Sequence, residues 1–186
     1  MRLGIFAKTF AGADPHTVLA QVKAAGFDVA QYNMACSGLE AMPAQISTAI
    51  AQAVHDAALK TKVDVVAVSG TYNMIHPDLA KRQDGHARLE VLAEHCAAMG
   101  TSLITLCTGT RDPVDQWHHH PDNNSIAAWS DLLASMETAL AIAEKYKITL
   151  GIERMDRVLQ RQMTQMQAME QVGAELGELS GGYRVP

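Results

Sequence analysis

Val63-Asp64-Val65-Val66-Ala67-Val68 runs without a break into Ser69-Gly70-Thr71-Tyr72-Asn73-Met74-Ile75-His76-Pro77-Asp78. The first six residues are mostly β-branched and apolar. They form too short a run for a helix and too continuous a one for a strand with a wet face, so they read as a strand covered on both sides. The ten that follow hold several hydrogen-bonding side chains, an imidazole and a stiffening proline. A covered strand that empties into a long polar loop is half of a parallel β-α-β unit, and such sheets bind ligands beyond the strand C-termini.

The same grammar recurs in both directions. Upstream, the apolar run Leu3 to Ala7 precedes Asp14-Pro15, an N-cap residue with proline at the first helical position. Val18, Leu19, Val22 and Ala25 recur at helical spacing until Gly26, and Phe27 to Tyr32 is extended again. A helix over about 44–60 leads into the Val63 run. Downstream, the pattern predicts a helix over about 85–99 closed by Gly100, the strand Leu103-Ile104-Thr105-Leu106, a helix over about 125–146, and the strand Ile148 to Ile152. About five short strands alternating with four helices imply an α/β domain built on a parallel sheet with right-handed crossovers. Connections after helices are short, whereas those after strands are long and carry the polar and aromatic side chains, so function is expected on the strand C-terminal side.

Composition narrows the classes. The 186 residues are 48% hydrophobic and 19% charged, enough for one domain with a sizeable core. A net charge of -5 gives no basic field for a phosphate backbone, which disfavours nucleic acid as a partner. Cys36, Cys96 and Cys107 form no C-x-x-C pair and suggest reduced thiols in a cytoplasmic protein. Lys8 interrupts the first apolar run too early for a signal peptide, and no later run is expected to reach membrane-spanning length, so no membrane partner is expected. The absence of G-x-G-x-x-G after the first strand and of G-x-x-x-x-G-K-[ST] anywhere counts against dinucleotides and nucleoside triphosphates.

Candidate site residues lie in the loops after strands. Tyr72, Asn73 and His76 follow the third strand; His76 there serves either a ligand or merely the backbone of a capped turn in which Pro77 and Asp78 start a helix. After the fourth strand, Thr108 and Thr110 suit a polyol, and Arg111 either holds an anion through its planar fork or pairs with Asp112. Trp117 and His120 would stand at the pocket rim. Adjacent loop histidines do not converge on one ion, so His118-His119-His120 reads as rim rather than metal cluster. Glu153 ends the apolar run Ile148-Thr149-Leu150-Gly151-Ile152, and a carboxylate there needs a cation: a metal, or an arginine such as Arg111, Arg154 or Arg157. Cys107 has no base beside it and reads as a packing residue. The Met155, Met163, Met166 and Met169 stretch reads as an adaptable helical packing face.

Gly70 to Pro77, Leu106 to Pro113 with Trp117 and His120-Pro121-Asp122-Asn123, and Leu150-Gly151-Ile152-Glu153 together resemble the sugar phosphate isomerase/epimerase group of the xylose isomerase-like TIM barrels. The resemblance implies a partial (β/α)₈ barrel over residues 1–153, followed by a divergent C-terminal helix and tail over 154–186. It implies proton transfer beside the carbonyl of a sugar or sugar phosphate, assisted by a divalent ion (Mn, Mg, Co or Zn), with Glu153 as metal ligand and acid/base and His76 as a second catalytic group. Tyr72, Asn73, Thr108, Arg111, Trp117 and His120 would contact the substrate. Three further metal ligands of the family have no counterpart in the sequence, so a catalytically silent sugar-binding or assembly relative is an alternative, with an abasic-site endonuclease behind it. An open barrel edge would call for cover, for instance by a second copy.

Overall fold

Asp14 caps the first helix as its position in the sequence predicts: its carboxylate accepts the Thr17 N–H at 2.7 Å, with Pro15 at the first helical position. The structure is a computed structural model that describes residues 2–152; Glu153 and the expected tail 154–186 lie outside the described residues. In chain order the elements are β1 (Gly4–Phe6), α1 (Pro15–Ala24), β2 (Val29–Tyr32), α2 (Thr48–Thr61), β3 (Asp64–Ser69), α3 (Leu79–Met99), β4 (Leu103–Leu106), α4 (Ile126–Tyr146) and β5 (Thr149–Ile152). Short 3₁₀ turns at Ala7–Thr9, Met34–Ser37 and Pro121–Asn124 fill the loops after β1, β2 and β4.

The five strands pair in parallel in the order β1-β2-β3-β4-β5, each beside its neighbour in sequence, and the architecture is that of a partial TIM barrel. Side chains in register share a face. Ala30, Tyr32, Val68, Ile104 and Leu106 have no exposure and point at the helices, where they meet Leu19, Val22, Val54, Leu89, Leu92 and Ala139. Each fully buried valine, leucine or isoleucine among them contributes about 1.5–3 kcal/mol. The other face carries Phe6, Gln31, Thr105 and Gly151 and corresponds to the inside of a barrel. There Gln31 reaches past β3 to donate to Thr105 Oγ1 at 2.7 Å.

Two helix starts differ from the sequence expectation. Ser47 caps α2 at Thr48, and the preceding Ile46 is spent on the core, so residues 44–47 are irregular. Helix α3 starts at Leu79, six residues ahead of Gly85, because Asp78 accepts the Ala80 N–H at 2.9 Å. Gly85 is therefore interior, and it makes room: a Cβ there would stand 2.2 Å from the Tyr72 ring. The short turns after helices are as expected, with Gly100 left-handed at φ 83°, but Lys62 and Lys147 take the same conformation without being glycine.

Helix α4 also departs from expectation. It is 21 residues long and, among the described residues, the one helix long and apolar enough by length and composition to cross a membrane. Ala128, Leu132, Ser135, Ala139, Ile142 and Ala143 are nevertheless buried against the sheet, which is the pattern of a core helix.

Candidate functional site

The long loops after β3 and β4 are built as one unit. Asn73 donates from Nδ2 to the Thr110 carbonyl at 2.8 Å, and its Oδ1 accepts the N–H groups of Thr110 (3.0 Å) and Ile75 (3.3 Å). The Asn73 amide thus acts as a backbone mimic between two loops 37 residues apart. His76 accepts the Asp78 N–H at Nδ1 (3.0 Å), which leaves the proton on Nε2 to donate to the Pro113 carbonyl (3.2 Å). Both imidazole nitrogens are taken by backbone, in line with the capped-turn alternative. Asn123, 1% exposed, accepts the Arg111 N–H at 2.6 Å and lies 3.0 Å from Thr110 Oγ1.

Arg111 pairs not with its neighbour Asp112 but with Asp131 on α4. Its Nη1 sits 2.7 Å from Asp131 Oδ2 and 3.2 Å from the Ile75 carbonyl, while Arg82 Nη2 lies 2.9 Å from Asp131 Oδ1 and Arg82 Nη1 donates to the His76 carbonyl. The two arginine side chains are only 10% and 11% exposed. One carboxylate on α4 therefore neutralises two nearly buried guanidiniums, one from α3 and one from the loop after β4. Each arginine also ties down a carbonyl of the loop after β3. Ser135 completes the seam by donating to the Met74 carbonyl at 2.7 Å.

Asp112 organises the outer loop. Its carboxylate accepts the N–H groups of Asp115 (2.9 Å) and Val114 (2.8 Å) and lies 2.7 Å from His118 Nδ1; these donors, the two backbone groups first, hold its pKa well below the usual carboxylate range. A depressed carboxylate lends stability above its unfolded pKa, near 4, and loses it as pH falls toward the folded value. Asp112→Asn is therefore expected to be less stable than the parent at pH 7 by urea unfolding, with the gap narrowing as pH falls below about 4. A gap that is the same at both ends of this range would refute that reading.

Next to this seam, on the strand C-terminal side, lies a groove of about 610 Å³ whose wall includes Glu40, Tyr72, Asn73, His76, Arg88 and Trp117. Four of the expected site residues, Tyr72, Asn73, His76 and Trp117, meet here. Trp117 is 59% exposed and offers a ring face at the rim. Tyr72 is buried on Gly85 and edge-on to His86 (5.6 Å, 89°); burial raises its pKa, and its hydroxyl has no hydrogen-bond partner among the described residues. Arg88 is neutralised by Glu40 (2.6 Å) and Asp84 (2.8 Å), and with Asp112, Asp115 and Lys81 also in its wall the groove is polar, with more carboxylates than cations. Thr108, Arg111 and His120 stand outside its wall. Thr108 is buried with a hydroxyl that has no partner among the described residues, Arg111 is turned to Asp131, and His120 Nδ1 accepts the Asp122 N–H at 3.2 Å in the cap of a 3₁₀ turn.

Asp131, Arg82 and the Glu40–Arg88 pair escaped the sequence reading, and Asn123 entered it only as part of a motif, without a role. The one available signal was Asp131 itself, a carboxylate in the otherwise apolar stretch Ala127-Ala128-Trp129-Ser130-Asp131-Leu132-Leu133. A divalent ion finds no seat among the described residues, where no three His, Cys, Asp or Glu side chains come together. Glu153, the residue expected to begin such a site, lies beyond them.

The profile of the xylose isomerase-like TIM barrel family matches residues 19–175. No curated protein matches the chain. Among solved structures, 3-keto-D-glucoside 4-epimerase from E. coli superposes with a TM-score of 0.64 at 16% identity, over 84% of this chain and 57% of its own. D-psicose 3-epimerase, solved in the presence of D-fructose, superposes with a TM-score of 0.62 at 17% identity, over 85% of this chain and 54% of its own. At such identities the likeness concerns the fold, and the chain spans little more than half the length of either structure. With the profile covering most of the sequence and the five-stranded sheet in the family's order, the chain belongs to the xylose isomerase-like TIM barrel family.

Proposed function

We propose that the chain binds a sugar in the groove after β3 and β4 and belongs to a sugar isomerase/epimerase site that moves the proton beside a carbonyl. The observation that carries this reading is the convergence of Tyr72, Asn73, His76 and Trp117 on one polar groove at the strand C-terminal side. A polyol fits such a wall better than an anion does: Arg88 is already neutralised, and the Trp117 face suits the C–H surface of a sugar ring. Asn73 and His76, with their polar atoms committed to backbone, shape the wall. Glu153 is the proposed base. In sequence it follows directly on Ile152, the C-terminal residue of β5. A carboxylate there would take the proton from the hydroxyl-bearing carbon next to the sugar carbonyl and return it to the former carbonyl carbon, while the hydroxyl proton passes to the former carbonyl oxygen, which is isomerisation. A metal enters no step of this reading, because the described residues do not supply its ligands.

The test combines thermal shift with proton exchange. The full chain with D-fructose in deuterated buffer, with and without Mn²⁺ or Mg²⁺, is expected to be stabilised by the sugar and to exchange the α-carbonyl proton. Trp117→Ala is expected to weaken sugar binding about tenfold, and Glu153→Gln to abolish exchange while leaving binding in place. Neither stabilisation nor exchange with any simple ketose or aldose tried would remove the proposal. Stabilisation without exchange would favour the second reading, a sugar-binding relative without turnover.

A further inference from the structure

The groove is charged unevenly. Its wall holds four carboxylates, Glu40, Asp84, Asp112 and Asp115, against two cations, Arg88 and Lys81. Arg88 has little left for an incoming anion, because its guanidinium donates to Glu40, to Asp84 and to the Met42 carbonyl. Arg82 and Arg111 nearby are held by Asp131. The carboxylates are not used up in the same way. Asp112 spends both oxygens, on the Val114 and Asp115 N–H groups and on His118. Glu40 and Asp84, whose side chains are 74% and 60% exposed, meet Arg88 through one oxygen each, and Asp115 accepts the Trp117 N–H at 2.9 Å through Oδ1. The second oxygen of each of these three makes no hydrogen bond among the described residues. Two further features of the wall point to the ligand. Tyr72 is 7% exposed and its hydroxyl has no hydrogen-bond partner among the described residues, which leaves a buried donor and acceptor of the kind a ring hydroxyl satisfies. The exposed Trp117 indole follows Asp115 by two residues, and an aromatic face beside a carboxylate attracts a cation. A divalent ion matches this wall poorly, since no three His, Cys, Asp or Glu side chains come together among the described residues. An ammonium matches it well, because its three N–H donors can go to separate oxygens.

We infer that the ligand of this groove is a sugar carrying an ammonium group, an amino sugar, and that a sugar phosphate is turned away. The inference rests on the sugar-binding reading of the groove and adds the charge of the ligand. The ammonium is held at the free Asp115 oxygen beside the Trp117 face, in the negative field of Glu40 and Asp84. A phosphate dianion at the same wall meets surplus carboxylates, with Lys81 as the wall cation that no carboxylate pairs among the described residues.

Titration calorimetry on the full chain at low ionic strength and about pH 6, where an amine is protonated, tests this with four sugars: D-glucosamine, D-glucose, N-acetyl-D-glucosamine and D-glucose 6-phosphate. D-Glucosamine is expected to bind about tenfold more tightly than D-glucose and N-acetyl-D-glucosamine, which share its ring without the charge, and D-glucose 6-phosphate about tenfold more weakly than D-glucose. Salt at about 0.5 M should shrink both ratios. Glu40→Gln/Asp115→Asn, at two exposed positions, should bring the ratio of D-glucosamine to D-glucose affinity to about one. Equal affinity of the parent chain for D-glucosamine and D-glucose would overturn the inference and leave the sugar-binding reading standing. So would 1,4-diaminobutane bound as tightly as D-glucosamine, which would make the cation alone the ligand, and so would a D-glucosamine preference that the double variant leaves intact. No binding of any of the four sugars would overturn it as well, and stabilisation by D-fructose would then show that the sugar-binding reading survives without it.

Discussion

Asp131→Ala is expected to destabilise the chain by about 2–4 kcal/mol, the largest effect of any single polar substitution outside the hydrophobic core. The carboxylate spans two guanidiniums, at 2.9 Å from Arg82 and 2.7 Å from Arg111, whose side chains are about nine-tenths buried. Its removal leaves two like charges near each other with little water to solvate them. A pair this buried typically loses about 3–5 kcal/mol when one partner is deleted; the 28% exposure of Asp131 tempers the figure. The consequence reaches the groove, because the same arginines hold the Ile75 and His76 carbonyls. Urea unfolding followed by tryptophan fluorescence measures the loss, and Asp131→Asn should fall between the parent and the alanine variant. A change below about 0.5 kcal/mol would place the cluster among ordinary surface ion pairs and refute this account.

Gly109→Ala is expected to cost about 3 kcal/mol by a different route. Gly109 has φ +80°, where a side chain costs about 1–2 kcal/mol, and an added Cβ would stand 2.1 Å from Asn73 Oδ1 and 2.8 Å from Asn73 Cα. Asn73 cannot yield cheaply, since its amide makes three hydrogen bonds to Thr110 and Ile75, each worth about 0.5–1.5 kcal/mol. The smaller entropy of the unfolded alanine chain returns about 0.4–1 kcal/mol and does not close the gap. Thermal unfolding should show the loss, and Asn73→Ala combined with Gly109→Ala should cost less than the sum of the two single changes, because the contact with Oδ1 disappears with the amide while that with the Asn73 Cα stays. Strict additivity would show that the two loops are not joined through this contact.

The strands were legible because their signal is local. A continuous apolar run bounded by turn residues marks β3 and β4 whatever surrounds them, and Asp14-Pro15 and Gly100 announce their helix ends in adjacent residues. The start of α3 was legible only as an alternative, with Pro77 and Asp78 starting a helix, for the opposite reason. Its first turn, Leu79-Ala80-Lys81-Arg82-Gln83-Asp84, is polar, and Arg82 is buried only because Asp131, 49 residues away, meets it. Gly85 looked like a helix boundary and is instead a gap filled by Tyr72. At the site, Trp117 and Tyr72 could be picked out as groove residues by type and position. Nothing near Arg111 in sequence indicated that Asp131 would claim it, or that His76 would spend both nitrogens on backbone.

The sequence by itself thus determined which segments become strands and helices and on which side of the sheet the polar loops gather, since periodicity, caps and loop length act over a few residues. Only the tertiary structure decided which of those polar groups are left to meet a ligand. Hydrogen bonds and ion pairs between the loops after β3 and β4 form once parallel pairing fixes their separation. A buried arginine or asparagine must find its partner across that seam before it can serve anything else.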